Sequence, residues 1–243
     1  MEPGQTRHTP SSGRPAKVNS LWQQSLSLLP RAFKKAWWWL LFSMILEEAF
    51  GVWIKDLSRG DERLYVIGGM FTLLLQLILG AFGIIIINQI IFDIRSGRES
   101  NVVEDLKKNL KFVFIESTRA LLPVLLKSLL LIIPGVIEGI RLYFVPYIAQ
   151  FDEEYKRGHV DALERSRALI RGRFWMVTGV LIITLILSMV PRLYLETIEF
   201  SNRPGFYALV FFTCMVLELF GDIALFMTYI RLEESSGNKV SLS

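Results

Sequence analysis

The 243-residue chain has very few of the side chains that hold metals or form disulfides: one cysteine, Cys214, and two histidines, His8 and His159. A single cysteine excludes a disulfide within the chain and a Cys-x-x-Cys site, and the two histidines are far apart in the sequence. The sequence also lacks a Walker loop, a GxSxG elbow and an HExxH motif. It therefore predicts a protein that is not an enzyme and has no metal or cofactor.

Charged residues are scarce over long stretches of the chain. The sequence is 52% hydrophobic and 21% charged, and the charges fall in blocks between apolar runs. A helix needs roughly 20 mostly apolar residues to cross the hydrocarbon core of a bilayer. Several runs qualify, so we predict an all-α integral membrane bundle of about six transmembrane helices. The predicted spans are residues 36–54, 64–92, 112–133, 136–150, 174–190 and 206–230.

The predicted fourth span is the shortest, and the sequence leaves open whether it crosses the membrane completely. Pro134 and Gly135 break the chain just before it, which predicts a tight hairpin between the third and fourth spans. Glu138 and Arg141 lie three residues apart within it, and we expect them to pair with each other.

The predicted polytopic transmembrane domain covers residues 20–232. The Pro/Gly/Ser-rich segment 1–19 is predicted to be a disordered tail.

Lysine and arginine are concentrated in alternate loops. Segments 1–36, 93–119 and 151–173 contain six each, whereas 55–63 contains three and 191–204 contains two. The positive-inside rule then places both termini, including the tail 233–243, and the two larger loops in the cytoplasm.

Both larger loops have apolar residues at helical spacing, which predicts amphipathic cytoplasmic helices over about 101–114 and 159–172. Their basic residues can contact anionic lipid head groups, or can simply hold the loops on the cytoplasmic side. The head-group candidates are Lys107, Lys108, Lys111, Arg165, Arg167, Arg171 and Arg173. Nucleic acid is not expected as a partner, because aromatic residues are not interleaved with the basic ones.

Ionisable residues within the predicted spans form a second set of candidates, since a charge near the bilayer centre is costly and normally faces the bundle interior. These residues are Glu47, Glu48, Lys127, Glu218 and Asp222. Glu218 and Asp222 lie four apart and therefore share a helix face. We expect Lys127 to pair with Glu218 or Glu47. The set either forms ion pairs that lock the packing or lines a polar path for a solute.

Residues 130–190 resemble a known family. Pro134-Gly135 is followed by Arg141, Phe144 and Pro146, and then by Ala162, Ser166, Leu169, Gly172 and Trp175. This pattern resembles the YciC-like group of bacterial inner-membrane proteins and the membrane domain attached to some glycerophosphodiester phosphodiesterases. The resemblance implies a six-span architecture in a bacterial inner membrane and no particular activity.

The function expected from these features is non-enzymatic. We expect a multi-pass inner-membrane protein of envelope or lipid homeostasis that binds membrane lipids, anionic ones among them, or a partner membrane protein. The alternative is a small-solute transporter that uses the charged residues within the spans. The two functions make different predictions for the five charged residues within the spans: a transporter requires that they meet in one cavity.

Overall fold

The computed structural model describes residues 18–57, 62–97, 102–196 and 204–236, and the regular structure of these segments is helical. The long helices are α1 (Val18–Leu57), α2 (Glu62–Ser96), α3 (Val102–Leu130), α8 (Phe174–Glu196) and α9 (Pro204–Ser235). The short helices between α3 and α8 are α4 (Ile132–Arg141), α5 (Val145–Phe151), α6 (Glu153–Lys156) and α7 (Ala162–Ile170). Most of the predicted tails, 1–17 and 237–243, lie outside the described residues.

Five helical stretches of the described segments are long and apolar enough to cross a membrane, which confirms the predicted all-α membrane bundle. They are Ser20–Ile54, Ile78–Ser96, Ile132–Phe151, Phe174–Tyr194 and Gly205–Ser235. The predicted third span, 112–133, is not among them. Most of it forms the second half of α3, where the three charged residues Glu116, Arg119 and Lys127 interrupt the apolar run.

The core of the bundle is an aromatic layer in which α5 packs against α9. The ring of Tyr147 lies 5.5 Å from that of Tyr229 and 6.3 Å from that of Phe226, and Phe144 lies 5.9 Å from Tyr229. All four rings are buried. Aromatic pairs at these separations contribute about 0.5–1.5 kcal/mol each beyond the burial of their surface. The layer fixes α5 against the last third of α9.

One end of the bundle, here called the α7 end, is closed by polar contacts to the last turns of α9. Arg95 of α2 pairs with Glu234 at 2.7 Å, and Arg165 of α7 pairs with Glu233 at 2.7 Å. Arg231 donates to the hydroxyl of Ser20 in α1 at 2.8 Å, and Arg173, just before α8, donates to the hydroxyl of Ser235. The start of α1, the end of α2 and the start of α8 therefore meet at the α7 end.

Local signals set the bounds of α7. The carboxylate of Asp161 accepts from the backbone N–H groups of Leu163 at 2.9 Å and Glu164 at 3.2 Å, which satisfies two unpaired donors of the first turn. Gly172 has a φ of +79°, a left-handed conformation that ends the helix and turns the chain into α8.

The α3–α4 hairpin is tightly packed at its turn. A Cβ atom on Gly135 would lie 2.8 Å from the Cα atom of Ser128, closer than real Cβ atoms approach. Glycine at position 135 therefore permits the two helices to run side by side. The predicted tight hairpin is confirmed, but the predicted place of the break is wrong: Pro134 and Gly135 lie in the first turn of α4, and the helices are separated at Leu131, because proline is tolerated in the first turn of a helix.

Candidate functional site

The arginines of the α7 region divide into two groups with different surroundings. Arg165 is mostly buried, with 17% of its side chain exposed, and lies between Glu233 at 2.7 Å and Asp152 at 3.5 Å. Arg173 is bonded to Ser235. These two residues hold α7 and α8 to the rest of the bundle. The expectation that Arg165 contacts head groups is therefore wrong, because its charge is used inside the protein.

The other two arginines, Arg167 and Arg171, line an open cleft together with Arg141. The cleft has a volume of about 270 Å³ and is completed by Ile170, Gly172 and Phe174. Within the described residues, the side chains of Arg141 and Arg171 have no hydrogen-bonding or ion-pairing partner. We call this site the arginine cleft. Three guanidinium groups around one opening form an electropositive site that suits an anion.

A single carboxylate, that of Glu138, holds together the helices that form the arginine cleft. It is 2% exposed and accepts from the Nζ of Lys127 at 2.6 Å and from the Nε and Nη2 of Arg167 at 2.9 and 2.6 Å. The hydroxyl of Ser166 donates to the backbone oxygen of Arg141 at 2.8 Å. These contacts fix α4 against α7, and with it the arginines that each helix contributes.

The partners of Glu138 correct two expectations. Lys127 pairs with Glu138 and not with Glu218 or Glu47, because α3 packs on α2, α4, α5 and α7. Glu138 in turn does not pair with Arg141. Spacing of three residues allows a pair on one helix, but Glu138 is turned toward the two cations of the neighbouring helices.

The lysines of α3 lie outside the cleft. Lys107, Lys108 and Lys111 are all exposed, and none of them lines the arginine cleft. They contribute positive charge to the surface of α3 without forming a described pocket.

The acidic residues of the predicted spans are separated into different places. Glu47 of α1 pairs with Arg192 of α8 at 2.7 Å, whereas Glu48 is exposed. Glu218 and Asp222 line a second cleft of about 250 Å³ between α8 and α9, with Thr184 among its other residues. Lys127 belongs to the Glu138 pair, so the five residues do not converge on one cavity.

A charged network joins α3 to the loop before α7. Arg119 lies 2.5 Å from Asp161 and 3.5 Å from Glu116, which also accepts from the hydroxyl of Tyr155 at 3.2 Å. Burial, together with the neighbouring Glu116 carboxylate, raises the pKa of Tyr155 to about 12. Burial alone would raise the pKa of Asp161, but bonds from Glu164 N–H, the Arg119 guanidinium and Leu163 N–H bring it below its ordinary value.

Sequence reasoning missed two residues of functional interest. Arg141 was assigned to a local pair and is instead a wall of the arginine cleft. Gln150 is buried, and its amide donates to the backbone oxygen of Ile85 at 2.9 Å, which ties α5 to α2. A polar residue within an apolar run was the available signal in both cases.

Comparison with known proteins adds no further constraint: no protein-family model, no curated protein sequence and no solved structure matches the chain.

Proposed function

We propose that this is a non-enzymatic multi-pass membrane protein that binds the anionic head group of a membrane lipid in the arginine cleft. The single observation that carries the proposal is the meeting of Arg141, Arg167 and Arg171, from α4, α7 and the α7–α8 turn, around one open cleft. Guanidinium groups present several N–H donors in a plane and bind phosphate oxygens in pairs. A phosphate group is therefore the ligand that the cleft suits best.

The surroundings of the cleft support a lipid as the source of this phosphate. Trp175 lies in the first turn of α8 and is 82% exposed, and Ile132, Ile133 and Val136 of α4 are also exposed. Exposed aliphatic side chains are favourable next to acyl chains. Exposed tryptophan side chains are favourable at the level of the head groups. A lipid can place its phosphate between the arginines and its chains along this apolar surface.

The charge balance favours an anionic lipid over a zwitterionic one. Arg141, Arg167 and Arg171 line the cleft, and among the described residues the carboxylate of Glu138, which Lys127 also pairs with, offsets part of their charge through Arg167. A net positive site attracts lipids that carry negative charge, roughly 1 kcal/mol for each basic residue near the membrane surface. With the positive-inside rule, we infer that the α7 end faces the cytoplasm. The resemblance of residues 130–190 to YciC-like proteins supports a bacterial inner membrane and a part in envelope or lipid homeostasis.

The proposal is tested by mass spectrometry of the lipids that remain with the protein in native membrane discs. We expect enrichment of an anionic lipid over the bulk membrane, and loss of that enrichment in an Arg141→Gln/Arg171→Gln double variant. The side chains of both arginines lack a partner among the residues that the structure describes, so the variant is expected to fold. The matched control is Lys107→Gln/Lys108→Gln, which removes the same charge outside the cleft and should keep the enrichment. Equal enrichment in all three proteins would exclude the cleft.

A transporter is the second candidate, favoured by the cleft between α8 and α9. Glu218 lies within electrostatic range of Glu47 and Arg192 on one side and of Asp222 on the other, and Asp222 in turn of Tyr143. This polar series runs through the bundle from the end opposite α7. A proton flux into liposomes carrying the protein, lost on Asp222→Asn and kept on Lys108→Gln, would support transport. Flux equal to that of protein-free liposomes would exclude a proton path.

A further inference from the structure

The turn between α3 and α4 presents an apolar surface that the described residues leave uncovered. Leu129, Leu130, Leu131, Ile132 and Ile133 are 67–83% exposed. Leucines on the outer face of α3, among them Leu122 and Leu126, continue this surface. A contiguous apolar patch at a tip of the protein indicates contact with lipid. How deep this turn reaches into the membrane depends on where α3 and α4 are held by the rest of the protein.

The segment that follows the tip is held by α7 at both of its ends. Glu138 contacts Arg167, and the backbone oxygen of Arg141 accepts from Ser166. Asp152, just after α5, lies 3.5 Å from Arg165. α4 and α5 follow α3 in one direction: Gly135 lies against Ser128, Gly139 against Val124, and Ala149 clusters with Val113. Arg167 of α7 reaches this hairpin at Glu138, which also binds Lys127, so only the part from Lys127 to Glu138 projects beyond α7.

The length of α4 limits how deep the tip can reach. α4 has 10 residues, which at about 1.5 Å per residue amounts to about 15 Å, half of the roughly 30 Å hydrocarbon core. Its last residue, Arg141, lies beside α7, whose exposed Glu164 and Arg167 require an aqueous surface. The other arm returns to the same level, because Lys127 of α3 shares Glu138 with Arg167.

The backbone of the turn is suited to a lipid environment. Leu131 is the one residue between the two helices, and its N–H donates to the oxygen of Lys127 at 2.9 Å. Its own oxygen accepts from Gly135 N–H at 3.3 Å, and Pro134 has no N–H to satisfy. Pairing of the Leu131 and Gly135 N–H groups lowers the cost of placing this turn in hydrocarbon.

We propose that the α3–α4 hairpin is a re-entrant wedge: it enters the leaflet at the α7 end, contacts acyl chains with residues 129–133, and returns to the same surface. The four membrane crossings are then α1, α2, α8 and α9. Two re-entrant arms replace the predicted third and fourth spans, so the two termini stay on one side. The wedge rests on the contacts of α4 with α7 and is independent of whether the arginine cleft binds a head group.

The test is labelling of single cysteines by a membrane-impermeant maleimide, applied from each side of the membrane in a Cys214→Ala background. Leu57→Cys, at the end of α1 opposite α7, and Lys156→Cys, near α7, report the two aqueous sides. We expect Leu131→Cys to react from neither side and to react fully after the membrane is dissolved in detergent. Leu129→Cys, at the most exposed tip position, should behave in the same way.

Two results would overturn the wedge. Reaction of Leu131→Cys from the Leu57 side, at the rate of Leu57→Cys, would show that the hairpin crosses the membrane. Reaction from the Lys156 side, at the rate of Lys156→Cys, would show that the tip lies in water. A nitroxide attached at residue 131 gives an independent reading: we expect it to be relaxed by oxygen and shielded from a water-soluble nickel chelate.

Discussion

Replacing Glu138 by glutamine removes the carboxylate that joins α3, α4 and α7 without changing the size of the side chain. Glu138 is 2% exposed, whereas Lys127 and Arg167 are 44% and 41% exposed, so water can compensate the two cations in part. Breaking a fully buried pair costs about 3–5 kcal/mol, and an exposed pair about 0–1 kcal/mol. We expect Glu138→Gln to lower the free energy of unfolding by about 2–3 kcal/mol.

The assay is reversible unfolding in mixed micelles, followed by circular dichroism. Glu153→Gln is the control, because Glu153 is 54% exposed and pairs with Lys156 at 3.4 Å, and its loss should cost less than about 0.5 kcal/mol. Arg167→Gln should also cost less in the Glu138→Gln background than in the original protein, since the two residues interact directly. If Glu138→Gln costs no more than the control, the carboxylate does not hold the three helices together.

Three further predictions concern single positions. Gly135→Ala should destabilise the protein by about 1–3 kcal/mol through the contact with Ser128, whereas Gly205→Ala, which has open space, should cost less than about 1 kcal/mol in the same unfolding assay. The stability that Asp161 contributes is complete above about pH 4 and lost as pH falls through its lowered pKa. Asp161→Asn, which keeps a capping side chain, should flatten the acid side of the unfolding profile; an unchanged profile would contradict the assigned role. Cys214 is buried and should react with a thiol reagent only after unfolding, so rapid reaction of the folded protein would place it at a surface.

The long apolar helices were predictable because each requires only a local property, a sufficient run of apolar residues. The predicted spans 174–190 and 206–230 lie inside α8 and α9, and 36–54 lies inside α1. The extent of α1 was not predicted, since its amphipathic first half joins the apolar half in one continuous helix, Val18–Leu57. The hydrophobicity pattern shows that one half is amphipathic and the other apolar, but it does not show whether one helix continues through both.

The partners of charged residues were predictable only where they lie close in the sequence. Asp161 caps α7 through groups two and three residues away, which sequence spacing specifies. Lys127 and Glu138 are held together by the α3–α4 hairpin, and Arg167 joins them from a distant helix. The arginine cleft depends on the same packing, because Arg141 ends α4 and Arg171 lies in the α7–α8 turn, and the sequence pattern does not predict where these two segments lie relative to each other.

α9 is synthesised after the other described helices, yet its last turns hold the partners of Arg95, Arg165 and Arg173. These three arginines leave the ribosome before their acceptors on α9 exist, although the pair of Arg165 with Asp152 can form earlier. The contacts that α9 makes at the α7 end therefore form last. A chain that stalls before α9 leaves more positive charge uncompensated at the α7 end than the finished protein does.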